Sequence, residues 1–391
     1  MIGVVPDDHR CIVIGAGLLG LAAAWAMARR GWQVLVLEAA GAPGHERSGS
    51  KGHARIFRLG YPDPLYVEMA VLARTRWWDL QAVTGRRLLE VTGQVTLGEE
   101  GTLDAIAEAL EAAGAPVERV SASTAARRLP GIAATGTVLV EPDSGVLAAD
   151  ECLRALQEAA AVDLRTGTCV TSLRQSPDSV TVRTGDGSEL QAASAIICAG
   201  PATLGLAGLA GVGEAAVAAG PSVPQVAYFA PRPDTDVVPP VFIEWGDDMV
   251  YGLPVPGGGP HAGTFKVAQH VPGPGLGSFD PADPLPLVAD DPALLAPLTG
   301  AVARLLPSLD PRPVATECCV YDNSWDTDFI LDRVGRIVVG CGTSGHAFKF
   351  GPLLGEFLAE LAEGGRPEVE LSRFGLARIG PSAHGPASKA R

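Results

Sequence analysis

The chain has 391 residues and a formal charge of −14, and its seven cysteines are scattered without a CxxC pair. The negative charge disfavours nucleic acid and anionic membrane surfaces as partners, and the cysteine pattern predicts neither a disulfide framework nor a zinc site. The length predicts two domains, and we expect a soluble, cytoplasmic protein without a membrane span or a metal ion.

The first forty residues have the hydrophobic pattern of a βαβ unit. A buried strand is predicted at 11–14, an Ala-rich helix at 18–30 and a second strand at 33–37. This arrangement is typical of the nucleotide-binding half of a doubly wound α/β domain.

Three glycines lie between the first strand and the helix at the spacing GxGxxG. In this context Gly15 permits a tight turn, Gly17 lets the backbone approach a pyrophosphate, and Gly20 lets the helix pack closely on the strand. Glu38 ends the second strand, where an acid can bind ribose hydroxyls. The pattern predicts a dinucleotide site, and the alternative is a tight turn without a ligand.

The pattern changes several times after the βαβ unit. A Ser/Gly-rich loop at 47–52 precedes a helix whose apolar face carries Tyr66, Met69, Ala70, Ala73, Trp77 and Leu80. Short strands at 84–97 and a helix at 102–113 indicate a second domain, and apolar strands at 180–183 and 195–198 indicate a return to the first.

The C-terminal half is predicted in the same way. Residues 221–313 are rich in proline and glycine, which favours an antiparallel sheet with one helix at 292–306. A strand at 336–339 and a helix at 353–363 follow. We therefore predict a discontinuous nucleotide-binding domain, an interleaved antiparallel-sheet domain and a flexible tail. The first comprises residues 1–85, 142–215 and 318–376, the second residues 86–141 and 216–317, and the tail residues 377–391.

The most specific pattern lies in the last quarter of the chain. A C-x-Y pattern begins at Cys319, F-I-x-D begins at Phe329, and S-G-H-x-F-K-F begins at Ser344. This order resembles the monomeric sarcosine oxidase and N-methyltryptophan oxidase family of D-amino-acid-oxidase-like flavoenzymes, and the resemblance covers nearly the whole chain. It implies FAD as the dinucleotide, which the glycine pattern alone does not separate from NAD. The implied fold is α/β, with a Rossmann-like FAD-binding domain and an interleaved antiparallel-sheet substrate domain.

The resemblance further implies a covalent flavin. Cys319 matches the cysteine whose sulfur bonds the flavin 8α-methyl group in that family. Cys318 is the rival, and the spacing to Phe329 and Asp332 favours Cys319. Without the resemblance, two adjacent cysteines in a strand are more often small buried hydrophobic residues.

The family's catalytic and substrate residues also have matches in this chain. Arg58 and Lys349 would bind the substrate carboxylate, because a guanidinium fork and an ammonium group suit that anion. Arg55 would lie against the flavin ring and favour its anionic reduced form. Lys266 matches the lysine whose fixed positive charge promotes reduction of O₂.

The amine pocket is matched by fewer residues. Tyr251 and His270 match active-site residues of the family, although either could equally be a packed core residue. Trp245 suggests an apolar aromatic wall and a substrate larger than sarcosine. Lys51 departs from the family, because sarcosine oxidases commonly carry a histidine at that position. Further cofactor contacts are implied at Ser50, Val170, Gly200, Gly342, Gly345 and His346, with Lys349 close to the flavin.

The implied reaction is oxidation of the C–N bond of a carboxylate-bearing secondary amine or amino acid to an imine, with O₂ reduced to hydrogen peroxide. Its partners are then a small-molecule amine and O₂, and we expect a monomer. Four alternatives remain. These are a biosynthetic oxidase of a cyclic imino acid (piperidine or pyrroline carboxylate), a flavin dehydrogenase with a non-oxygen acceptor, an NAD-dependent dehydrogenase, and a nucleotide-binding module without chemistry.

Overall fold

A six-stranded sheet forms the framework of the nucleotide-binding region. The computed structural model describes residues 9–212, 218–271, 273–276 and 291–378. Neighbouring strands are parallel except for the strands Ile330–Val334 and Ile337–Cys341, which pair antiparallel. In spatial order the strands are β21 (Ile330–Val334), β22 (Ile337–Cys341), β13 (Ser194–Ile197), β1 (Arg10–Ile14), β2 (Gln33–Leu37) and β9 (Asp163–Arg165).

Eight α-helices occur in the described part of the chain. They are α1 (Leu18–Arg29), α2 (Pro64–Thr84), α3 (Glu100–Ala112), α4 (Ala122–Arg128), α5 (Ala149–Ala160), α6 (Thr203–Leu209), α7 (Pro292–Leu305) and α8 (Gly351–Glu363). Helix α1 packs against α8 and α5. A Cβ atom at Gly355 of α8 would lie 2.4 Å from the backbone of Ala22, so the missing side chain lets these two helices approach closely. No described helix is both long and apolar enough to cross a bilayer.

A larger sheet of eight strands forms the second framework. Its strands pair antiparallel except for β5 and β16, which are parallel. In spatial order they are β19 (Leu309–Cys318), β15 (Gln225–Pro231), β18 (Phe265–Gln269), β17 (Val250–Pro254), β16 (Val241–Glu244), β5 (Gln94–Leu97), β7 (Thr137–Glu141) and β6 (Glu118–Ser121). Helix α7 packs on this sheet, and a separate hydrophobic core lies between them.

Three smaller sheets and four 3₁₀ turns complete the structure. The small sheets are β10 (Val170–Gln175) with β11 (Val180–Thr184) and β12 (Glu189–Ala192), β3 (Ala54–Phe57) with β8 (Gly145–Ala148) and β4 (Leu89–Val91), and β14 (Ala218–Ser222) with β20 (Tyr321–Ser324). The turns span Gly200–Ala202, Phe348–Phe350, Ser372–Phe374 and Leu376–Arg378.

The last two described residues, 377 and 378, are the first two residues of the predicted flexible tail. Residues 379–391, most of that segment, lie outside the described residues. Residues 377 and 378 belong to a 3₁₀ turn, because the guanidinium of Arg378 donates hydrogen bonds to both carboxylate oxygens of Asp326 and to the Asp328 carbonyl. The predicted flexible tail at residues 377–391 stays a prediction.

Candidate active site

A cavity of about 430 Å³ opens at the carboxyl ends of β1 and β2 and continues to the eight-stranded sheet. Ile14 and Glu38 line one end, and Lys266 and Cys319 line the other. Ligands of open α/β sheets bind at the carboxyl ends of parallel strands, so this placement suits a nucleotide.

The three glycines of the GxGxxG pattern differ in their local geometry. Gly15 has φ +100°, and a Cβ atom there would lie 2.4 Å from the Cys198 carbonyl oxygen. A Cβ atom at Gly20 would lie 1.8 Å from the Gly15 carbonyl oxygen, so α1 packs on the turn only with glycine there. Gly17 lines the cavity directly.

The start of α1 fits an anionic group. Gly17 caps the helix without a side-chain hydrogen bond, and the first turn carries no acidic residue. The N–H groups of this turn and the helix dipole therefore favour a pyrophosphate in the cavity. Ser50 also lines this end, and its hydroxyl accepts a hydrogen bond from the Leu18 N–H at 2.9 Å.

Glu38 lies at the cavity with its carboxylate held by the backbone. Its oxygens accept hydrogen bonds from the N–H groups of Ala16 at 2.7 Å and Ala40 at 2.9 Å. These bonds fix the carboxylate beside the glycine turn, and ribose binding by Glu38 stays a prediction.

The remaining predicted cofactor residues divide into two groups. Val170, Gly200 and Gly345 line the large cavity, whereas Gly342, His346 and Lys349 do not. Gly342 has φ +63°, and a Cβ atom there would lie 2.8 Å from the Ile330 side chain. Its position is therefore explained by packing of the turn after β22.

The residues predicted to lie beside the flavin are at the far end of the cavity. Lys266, Arg55, Tyr251 and Cys319 all line it. Cys318, the rival for attachment, is not among the lining residues, and the two adjacent cysteines therefore differ in their access to the cavity.

Lys266 is a buried cation on β18. Its side chain is 3% exposed, and it forms neither a hydrogen bond nor a salt bridge with a described residue. Burial, and then the positive charge of Arg55, lower the pKa of Lys266 to about 8, while Cys319 and Glu317 act in the opposite direction. The ammonium lies 5.9 Å from the centre of the Tyr228 ring.

Arg55 is fixed by carbonyl groups of its own loop. Its guanidinium donates to the carbonyls of Ala54, Gly49 and Lys51, and it lies 5.3 Å from the centre of the Phe348 ring. This side chain is thus held at the cavity wall without a carboxylate partner among the described residues.

A smaller pocket of about 30 Å³ adjoins the cavity, and Arg55, Tyr251, Gly345 and Phe348 line both. Arg58 and Lys349 line the smaller pocket, and each is only 3% exposed. Neither forms a salt bridge with a described residue. Glu141 favours the charge of Arg58 but forms no salt bridge with it. Two buried cations that no carboxylate contacts directly are costly unless an anion joins them, so this pocket suits a carboxylate ligand.

Both cations are positioned by Tyr61. The Lys349 Nζ donates to the Tyr61 hydroxyl at 2.9 Å and to the His346 carbonyl at 2.8 Å. The Arg58 guanidinium lies 3.7 Å from the centre of the Tyr61 ring and donates to the Gly60 carbonyl at 2.6 Å. Burial lowers the pKa of Lys349 well below its usual range, and the neighbouring charge of Arg58 lowers it further.

Two histidines of the pocket are neutral. Burial, followed by the charges of Arg58 and Lys349, lowers the pKa of His270 to about 3. The pKa of His346 is also well below its usual value, chiefly through burial. The Nε2 atom of His346 lies 3.0 Å from the Thr327 carbonyl oxygen, which can only accept, so the proton is on Nε2.

The structure places Trp245 beside Arg58. It lines neither the cavity nor the small pocket, and its ring instead lies 4.9 Å from the Arg58 guanidinium. The backbone N–H of Trp245 donates to the Leu97 carbonyl at the end of β5, and the indole N–H has no hydrogen-bond partner among the described residues. Trp245 therefore packs on the Arg58 guanidinium, and its role as an aromatic wall of the substrate site stays a prediction.

Comparisons with known proteins identify the family. A family model described as FAD dependent oxidoreductase matches residues 10–361. The chain belongs to the FAD-dependent oxidoreductase family. This confirms the predicted resemblance, the α/β flavoprotein fold, FAD as the dinucleotide and an oxidoreductase activity.

Several relatives of this oxidoreductase are similar over nearly their whole length. Human peroxisomal sarcosine oxidase is 32% identical, with 95% of this chain and 97% of that protein covered. N-methyl-L-tryptophan oxidase of Salmonella heidelberg is 30% identical, with 94% and 98% covered. The solved structure of NikD, an unusual amino acid oxidase essential for nikkomycin biosynthesis, is 27% identical, covers 93% of this chain and 96% of its own, and superimposes with a TM-score of 0.76.

Sequence reasoning missed three residues of the site of this oxidoreductase. Tyr61 directly follows the segment Arg58-Leu59-Gly60, and an aromatic residue so close to a predicted substrate-binding arginine could have indicated a place in the site. Glu141 is 1% exposed and accepts hydrogen bonds from the Gly60 N–H at 2.9 Å, from Ser144, from Gln94 and from Thr96. Only strand pairing brings Glu317 to the same sheet face as Lys266, and no motif in the surrounding sequence distinguishes it.

Proposed function

We propose that this flavoenzyme is an oxidase of a carboxylate-bearing secondary amine or amino acid, with FAD bound covalently through Cys319 and O₂ reduced to hydrogen peroxide. The observation that carries the proposal is the buried pair Arg58 and Lys349, which forms no salt bridge with a described carboxylate and adjoins the cavity that Lys266 and Cys319 line. The similarity to sarcosine oxidase and N-methyl-L-tryptophan oxidase supports the substrate class.

The small pocket would bind and orient the substrate. Its carboxylate would accept hydrogen bonds from Arg58 and Lys349, which fixes the amine toward the shared wall at Tyr251 and Arg55. The same positive charges disfavour an ammonium group, so the substrate amine would react in its neutral form. FAD, when bound, supplies the acceptor for the two electrons.

Lys266 would serve the reaction with oxygen. It lines the large cavity and not the carboxylate pocket, so its charge is available to a second reactant. A fixed cation stabilises the negative charge that develops on O₂ as it accepts an electron. The monomeric state and the cytoplasmic location stay predictions from the sequence.

A biosynthetic oxidase of a cyclic imino acid is the second candidate. The similarity to NikD, at 27% identity, favours it. The same carboxylate pocket and the same lysine would serve both reactions, so the identity of the product separates them.

The covalent link is tested on purified protein by recording the flavin absorbance before and after acid precipitation. We expect the yellow colour to stay in the pellet, with the flavin mass on the peptide that carries Cys319. A Cys319→Ser variant should release its flavin, whereas Cys318→Ser should retain it. Colour released by the unaltered protein would refute the covalent link, and a protein without flavin affinity would refute the function.

The substrate class is tested by peroxide formation with N-methyl and cyclic amino acids and with their methyl esters. Because the ester removes the anion, kcat/KM should fall on the order of 100-fold relative to the acid. Lys349→Met should lower kcat/KM for the acid and leave that for the ester nearly unchanged. Equal rates for acid and ester would contradict the carboxylate site, and substrate oxidation without peroxide would indicate a dehydrogenase.

A further inference from the structure

A cluster of polar side chains lies behind Lys266 on the eight-stranded sheet. The Tyr228 hydroxyl donates to Glu317 Oε2 at 2.7 Å, and His261 Nε2 lies 3.1 Å from Glu317 Oε1. The rings of Tyr228 and His261 are stacked with their centres 3.9 Å apart. Both carboxylate oxygens of Glu317 are therefore held in place.

The strand register places Glu317 on the same face of the sheet as Lys266. Tyr228 on β15 is paired with Lys266 on β18 and with Ala315 on β19. Glu317 lies two residues beyond Ala315, so its side chain is on the same face of the sheet as those of Tyr228 and Lys266. Tyr228 thus lies between the two charged groups. Its ring is near the Lys266 ammonium, and its hydroxyl donates to the Glu317 carboxylate.

Glu317 carries a negative charge in this environment. Partial burial acts to raise its pKa, but the hydrogen bond from Tyr228, the charge of Lys266 and the contact with His261 outweigh burial and lower the pKa below the usual value. The side chains of Glu317 and His261 are 25% and 19% exposed. The charge is therefore shielded from water on most sides and acts at short range on its buried neighbours.

The other groups that act on Lys266 include two like charges. Arg55 and Lys51 disfavour its ammonium form, whereas Glu317 favours it. The thiolate of Cys319 would also favour it, but a thioether sulfur bound to the flavin carries no charge. Glu317 is the only carboxylate among these four groups. Nothing else among the described residues that act on Lys266 supplies a fixed negative charge against burial and two cations.

We propose that Glu317 is a positioning residue for Lys266, whose ammonium form it maintains at neutral pH through the arrangement that Tyr228 and His261 hold. If Glu317 has this role, the rate of the reaction with O₂ depends on pH. Lys266 would be an effective cation below the pH at which it loses its proton, and the rate would fall as the pH rises through that value. This inference rests on the proposed oxidase function, because it assigns Lys266 to the oxygen reaction.

The first test is a pH titration of the flavin absorbance of the purified holoenzyme between pH 6 and 10. Loss of a charge beside the flavin changes its visible spectrum, so we expect a transition near pH 8 that Lys266→Met removes. Glu317→Gln should move this transition toward acid by about one pH unit, since a neighbouring opposite charge shifts a pKa by about that amount or more. Glu244→Gln is the matched control, because Glu244 is also 25% exposed on this sheet but is paired with Arg304.

The second test measures reoxidation after reduction by dithionite, which needs no amine substrate. At pH 8 the Glu317→Gln variant should react with O₂ roughly five-fold more slowly, because its Lys266 has a pKa about one unit lower and is mostly deprotonated at this pH. At pH 6 its rate should equal that of the unaltered enzyme, because Lys266 is protonated in both, and a merely structural defect would persist there. Glu244→Gln should match the unaltered enzyme throughout.

The outcomes separate the two proposals. A spectral transition that Glu317→Gln leaves in place, or that Lys266→Met fails to remove, overturns the role of Glu317. Slow reoxidation of the unaltered enzyme at every pH overturns the oxidase function, and the spectral titration still decides whether Glu317 acts on Lys266.

Discussion

Buried charges define this site at the scale of single residues. Arg58 and Lys349 were predicted from short motifs, and the structure brings them to one pocket. Glu141 was not predicted, because its partners Gly60, Gln94 and Thr96 come from distant parts of the chain. A carboxylate at the end of an apolar strand has no local signature that distinguishes it from a surface acid.

Glu141 supports the turn that carries Arg58. It accepts from the Gly60 N–H, and Ser144, which also contacts Glu141, accepts from the Leu59 N–H at 3.1 Å. We predict that Glu141→Gln lowers the free energy of unfolding by about 1–3 kcal/mol, since hydrogen bonds to a buried charge are weakened. The KM for a carboxylate substrate should rise more than kcat falls, because the Arg58 turn loosens.

Urea unfolding and steady-state kinetics with an acid and its methyl ester would measure these effects. Glu90→Gln is a control on an exposed strand position. An unchanged KM for the acid, despite lost stability, would show that Glu141 has no influence on the carboxylate pocket.

At the scale of elements, the helix ends were predictable where glycine or proline marks them. Helices α1, α3, α7 and α8 begin and end within two residues of their predicted positions. Helix α5 was missed, although Cys152, Leu153 and Leu156 repeat at helical spacing and are buried. The signal for this helix was therefore present in the sequence.

Glycine has opposite effects in two of these helices. We predict that Gly20→Ala in α1 destabilises the protein by about 1–3 kcal/mol, because its Cβ atom would lie 1.8 Å from the Gly15 carbonyl oxygen. Gly101→Ala in α3 should stabilise it by about 0.5–1 kcal/mol, since nothing lies within 4 Å and alanine favours a helix.

Denaturant midpoints of the two variants, together with the flavin content of Gly20→Ala, test this contrast. Equal effects of both substitutions would mean that the close approach of α1 to the glycine turn does not determine the stability of the βαβ unit.

At the scale of the whole molecule, strands from separated parts of the chain share one sheet. Strands β5, β6 and β7 lie in the same sheet as the five later strands β15 through β19, an arrangement in keeping with the predicted interleaved domain. The predicted domain boundaries themselves stay a prediction. The cavity is lined from both large sheets, and site formation therefore depends on how the two sheets pack.

The C-terminal turn connects distant elements through Arg373. Its guanidinium donates to both oxygens of Asp328 and to Asp63, the residue that caps α2. We predict that Arg373→Ala lowers the free energy of unfolding by about 2 kcal/mol, because Asp328 is 7% exposed and loses its cation.

Urea unfolding would measure the loss. Arg312→Ala is the control, since Arg312 is 87% exposed and its pairing with Asp310 should have no measurable effect. The same stability for both variants would show that the C-terminal turn is not coupled to the rest of the fold.

The sequence by itself determined the βαβ unit, the glycine turn and the motif from Cys319 to Lys349, because each depends on residues close together in the chain. Only the tertiary structure decided that Trp245 packs on Arg58, that Glu141 supports the Arg58 turn, and that Glu317 lies on the same sheet face as Lys266. These relations depend on strand register and on burial between distant segments, and local periodicity carries no record of either.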